Sequence, residues 1–86
     1  MVEMDNVLLI CNLRELLSRK NISANKLSHD INERRSTIND LINNKQMDKR
    51  QIPARLIAKI CIYLDVSPSD LFEIGYNIEK MKNITD

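Results

Sequence analysis

Apolar residues return at three- and four-residue intervals in four successive segments, and this period decides most of what the chain can become. On a helical wheel, Leu9, Ile10, Leu13, Leu16 and Leu17 fall on one face. Leu27 and Ile31 lie four apart, Ile38, Leu41 and Ile42 form a third stripe, and Ile57, Ile60, Cys61 and Leu64 follow the i, i+3, i+4, i+7 rule. One glycine, Gly75, and two prolines, Pro53 and Pro68, punctuate 86 residues. Helices can therefore run on, while tight β-hairpins lack their usual turn residues. The expectation is a single compact all-α domain of five helices, too small to enclose a deep substrate cavity.

The ends of the helices are marked in the sequence. A first helix starts near Asp5 or Asn6, either of which can cap it, and ends at Lys20 and Asn21. Ser23 reads as the N-cap of a short amphipathic helix over 24–31. Asn32 then turns the chain, because Asn tolerates the left-handed backbone conformation. A third helix runs from Arg34 or Arg35 to Asn43, and Ser36, Asn39, Asp40 and Asn43 point away from its buried stripe. A polar loop over 44–52 carries Lys45, Lys49 and Arg50. Pro53 suits the first turn of a fourth helix, and Ser67-Pro68-Ser69-Asp70 starts a fifth, anchored by Leu71 and Phe72. The helical domain is assigned to 1–74. Residues 75–86 form a short C-terminal tail, helical or packed on the domain or on a partner.

Several function classes are expected to be absent. Tyr63, Phe72 and Tyr76 are too few aromatics for the stacking platforms that bind single strands. The apolar run over 7–11 is too short to span a membrane and lacks a basic segment before it, so the expected location is the cytoplasm. Cys11 and Cys61 then read as reduced thiols, Cys61 packing as a small apolar residue. Two cysteines and one histidine make no structural zinc site, and no metal or other cofactor is expected. There is no glycine-rich phosphate loop, and His29 has no nucleophile to pair with. Neither an enzyme nor a small-molecule substrate is expected.

The net charge of +1 hides an uneven distribution. Residues 14–59 hold eleven Lys/Arg against five Asp/Glu, while the remainder holds two against seven. A basic middle segment attracts phosphates, so a polyanionic partner becomes plausible beside the alternative of an unevenly charged solvated surface.

Two short helices joined by a tight turn, the second polar on its outer face, describe a helix-turn-helix over 22–43. Such a helix fits the major groove of B-DNA, where Asn can bond both edges of adenine and Arg both acceptors of guanine. The stretches NLRELLSRKNIS, NKLSHDINERRSTINDLINNK and LIAKICIYLDVSPSDLFEI, in this order, span roughly 12–73. In them the sequence resembles the lambda-repressor/Cro-like helix-turn-helix regulators, also called xenobiotic-response-element regulators. The resemblance implies a sequence-specific regulator of transcription, a repressor, that reads double-stranded DNA with the helix over 34–43.

Carried over residue by residue, the resemblance implies base contacts at Arg35, Ser36 and Asn39. It implies phosphate contacts at Ser23, Asn25, Arg34, Thr37, Asn43, Lys45, Lys49 and Arg50. Four positions depart from the family pattern. Glu33 stands where an apolar residue is usual, Arg34 where a capping Ser is usual, and Ala24 in place of a frequent Gln. Asp40 brings a negative charge to the outward face, either to accept from cytosine or to repel phosphate. Met4, Leu8 and Cys11 form a second helical stripe, and Leu56, Ile62 and Tyr63 lie off or beside the core face of the fourth helix. These six are candidates for a homodimer interface or for a small protein partner, with cover by the tail as the other possibility. The alternative function is a protein-interaction module of the same fold, an antirepressor, inhibitor or antitoxin, with weak or no operator binding.

Overall fold

The computed structural model describes residues 6–76. Within them the order is strand β1 (Val7–Cys11), helices α1 (Leu13–Lys20), α2 (Ala24–Asp30), α3 (Arg35–Ile42), α4 (Ala54–Leu64) and α5 (Pro68–Leu71), and strand β2 (Phe72–Tyr76). The helices carry the expected stripes inward. Leu13, Leu27, Ile38, Leu41, Ile60, Leu64 and Leu71 are almost fully excluded from solvent and form one core.

Helix ends are set by local hydrogen bonds. The Ser23 hydroxyl accepts from the Lys26 N–H at 3.0 Å and caps α2. The Asp70 carboxylate accepts from the Ser67 N–H at 3.0 Å and closes the first turn of α5. Left-handed backbone occurs at Asn21, Asn32, Asn44, Gln46 and Asp65, with φ between 53° and 58°. Three Asn, one Asp and one Gln thus do the turning that Gly does in most chains.

The first helix does not begin at Asp5 or Asn6: 7–11 is a strand, and helix starts only at Leu13. The fold is therefore not wholly α. β1 pairs antiparallel with β2, from Val7 opposite Tyr76 to Cys11 opposite Phe72. The scarcity of turn residues argued only against local hairpins, and this pair is joined through all five helices. The expected division between 74 and 75 falls inside β2, which extends to Tyr76. The tail beyond Tyr76 lies outside the described residues, as does Met4.

Gly75 is buried in the ribbon, and a Cβ on it would lie 2.2 Å from Ile10 Cδ1. Its lack of a side chain leaves room for Ile10 and Leu8 to cross the sheet. Among the described residues no helix is long and apolar enough to cross a membrane, and no group of three metal-ligating side chains occurs.

Candidate nucleic-acid interface

Helix α3 presents its N-terminal turn to solvent because Ile38 and Leu41, three apart, hold the opposite face in the core. Arg34, Arg35 and Ser36 are exposed, and Asn39 is half-buried further along. No side chain caps the helix, as Arg34 stands at the capping position. Thr37 faces a shallow cleft shared with Glu33, Arg50 and Pro53.

Both acidic residues that depart from the expected pattern are neutralised from within the fold. Glu33 accepts from Lys59 Nζ of α4 at 2.8 Å. Asp40 accepts from Arg50 Nη2 at 2.8 Å, and Arg50 Nε also donates to the Lys45 carbonyl at 3.1 Å. Arg50 is thus engaged inside the protein as the brace of the loop after α3. Arg34, Arg35, Lys45 and Lys49 make no ion pair among the described residues. The outcome is a surface of unpaired cations around α3 whose two carboxylates, Glu33 and Asp40, are matched internally, while the exposed Asp48 beside Lys49 makes no ion pair among the described residues; the balance of free charge there is positive.

The remaining sequence-named residues fall in three groups. The Ser23 hydroxyl is committed to its cap, and Asn25 is exposed on the first turn of α2. Asn43, the C-cap of α3, accepts from Arg14 Nη2 at 2.6 Å. Of the interface candidates, Cys11 and Leu56 are each 3% exposed and belong to the core. They cannot serve as open contact surface, and the helical stripe that would have joined Leu8 to Cys11 is a strand. Ile62 is 82% exposed and lines an apolar cleft with Ile31, Ala58 and Tyr63.

Tyr63 donates its hydroxyl to Asp30, which also takes a hydrogen bond from Lys26 at 3.0 Å and lies 3.3 Å from His29 Nδ1. The Tyr63 hydroxyl, then Lys26 and His29, hold the Asp30 carboxyl down at about 2. Burial pushes both cysteine thiols upward, Cys61 with some help from the Asp70 charge, so neither is poised as a thiolate.

Two residues of this region were missed in the sequence, Arg14 and Asn44. The Asn44 side chain accepts from the Cys11 N–H at 2.7 Å and donates back to the Cys11 carbonyl at 3.1 Å. Their partners lie 29 and 33 positions away, and no local pattern announces such pairs.

Comparison with known proteins agrees with this fold. No curated protein sequence matches the chain. Among solved structures, a candidate DNA-binding protein from Bacteroides fragilis superposes with a TM-score of 0.64 at 20% identity, over 76% of this chain and 98% of that one. The transcriptional regulator VanUg superposes with a TM-score of 0.68 at 18% identity, over 88% of this chain and 96% of its own. At these identities the likeness is one of fold. The model of the Cro/C1-type HTH DNA-binding domain matches residues 12–75, from the turn before α1 into β2. By that match over most of its length, the chain belongs to the Cro/C1-type helix-turn-helix DNA-binding domain family.

Proposed function

We propose that this protein is a sequence-specific, double-stranded-DNA-binding regulator of transcription, acting as a repressor, and that α3 is its reading helix. The observation that carries the reading is the exposed N-terminal turn of α3, where Arg34, Arg35 and Ser36 stand free while Glu33 and Asp40 are tied to Lys59 and Arg50. In this reading Arg35, Ser36 and Asn39 meet base edges. Arg34, Lys45 and Lys49 meet phosphates, with Asn25, Thr37 and Asn43 at the margin of the same surface. Two copies on a two-fold site would place their reading helices about 34 Å apart, one turn of DNA. Occupancy of a promoter by such a pair excludes polymerase.

Selection of bound duplexes from random DNA tests this. Arg35→Ala and Asn39→Ala are expected to relax the selected sequence, each costing about 1–3 kcal/mol on the preferred site. Lys49→Ala should weaken all duplexes alike and reduce the salt slope by about one ion. Unchanged preference in both of the first two variants would overturn the contact assignment.

One observation favours a second reading, a protein-interaction module of the same fold: the 82% exposure of Ile62 in its apolar cleft on α4. A gel shift with random duplex at low salt separates the two. Failure to retard any duplex would favour the interaction module.

A further inference from the structure

In an antiparallel ladder, the N–H and C=O of one residue point to the same side of its strand. Cys11 gives both groups to the Asn44 side chain. They therefore point away from β2, and the Asn44 amide stands where the next strand of the sheet would be. Phe72, opposite Cys11, shows the same parity, since its N–H turns away to the Pro68 carbonyl. Asn44 lies two residues beyond the last residue of α3, with a left-handed φ of 53°. Its neighbour Asn43 takes the Arg14 guanidinium from α1. The end of α3 is thus fastened to the ribbon and to the start of α1 through adjacent side chains.

We propose that Asn44 is a positioning residue for DNA reading, which sets the angle of α3 by clasping the Cys11 peptide at the edge of β1. The proposal rests on the reading role given to α3 above. Its force is geometric. Arg35 lies nine residues before Asn44, about 13 Å away at the helical rise. A swing of about 10° at the clasp moves Arg35 by roughly 2 Å, several times the ~0.5 Å within which a recognition group must be held. Phosphate contacts made by flexible Lys side chains tolerate such a swing, whereas paired hydrogen bonds to a base edge do not.

Asn44→Gly isolates the side chain, because Gly keeps the left-handed backbone without strain. The expected result is a loss of about tenfold in affinity for the selected duplex in N44G, the size of one base contact. Affinity for random duplex and the salt slope stay as in the wild type. Amide exchange should quicken at Cys11 and along the last turn of α3 in N44G. Equal losses on selected and random duplex, or a lowered melting temperature with an unchanged ratio, would overturn the positioning role and leave a structural clasp. A wild-type chain that selects no duplex overturns the reading role itself, seen before any substitution is made. Exchange then judges the clasp alone, and unchanged protection of α3 in N44G overturns it.

Discussion

Asp30 closes α2 with three side chains around its carboxylate, and the folded chain therefore binds its proton less readily than the unfolded chain does. Its pKa falls from the ordinary 3.8 to about 2, with the Tyr63 hydroxyl as the largest cause. The sign follows from linkage. A depressed carboxyl stabilises the fold fully above 3.8, and that contribution fades as pH falls toward about 2. Asp30→Asn should melt below the wild type at neutral pH, with the gap closing across that window. Melting curves from pH 6 to pH 2 would show it, and a gap of constant width would refute the assignment. Gly75 offers a second test at the same scale. With Ile10 Cδ1 at 2.2 Å and Cγ1 at 2.9 Å from its missing Cβ, Gly75→Val forces the Ile10 side chain out of place. A loss of about 1–3 kcal/mol in denaturant unfolding is expected. Adding Ile10→Val removes the nearest carbon, so the pair should cost less than the sum of its parts.

Among the elements, those fixed by local signals were legible and those fixed by distant partners were not. The Ser23 cap, the Asn32 turn and the Pro68 start of α5 are each written in a few adjacent residues, and each is in place. Ser23→Ala should cost about 1 kcal/mol of global stability without moving α3, as measured by thermal unfolding and amide exchange. The five apolar residues of β1 carry no such mark. Leu9 and Ile10 happen to continue the wheel of Leu13, Leu16 and Leu17, and a short apolar run reads equally well as helix or strand. What makes it a strand is β2, whose alternation of Phe72, Ile74 and Tyr76 with Glu73 and Gly75 lies across the whole domain. The candidate site divides in the same way. The exposure of Arg35 and Ser36 follows from the stripe of α3, while the pairing of Glu33 with Lys59, 26 residues away, is a tertiary fact. The engagement of Arg50 by Asp40 shows the cost of reading charge alone, since a loop cation counted toward phosphate is a structural brace.

For the molecule as a whole, the important quantity is how many cations remain free once the internal pairs are formed. Eight of the eleven Lys/Arg over 14–59 make no ion pair among the described residues: Arg34, Arg35, Lys45 and Lys49 around α3, and Arg14, Arg19, Lys20 and Arg55, whereas Lys26, Arg50 and Lys59 are taken. A small net charge thus coexists with a face rich in free cations, and the overall balance of +1 is a poor guide to it.

The antiparallel ribbon also makes the backbone a nearly closed circuit. Val7 stands opposite Tyr76, about 5 Å away, as partners across a ladder do. A few residues of flexible linker would span that gap, and the exposed Gln51 between α3 and α4 offers a place to open new ends. Such a circular permutant of residues 6–76 is expected to keep its melting transition and its selected DNA sequence. Collapse of the fold would mean that the ribbon draws its order from continuity at the original ends rather than from the pairing of its strands.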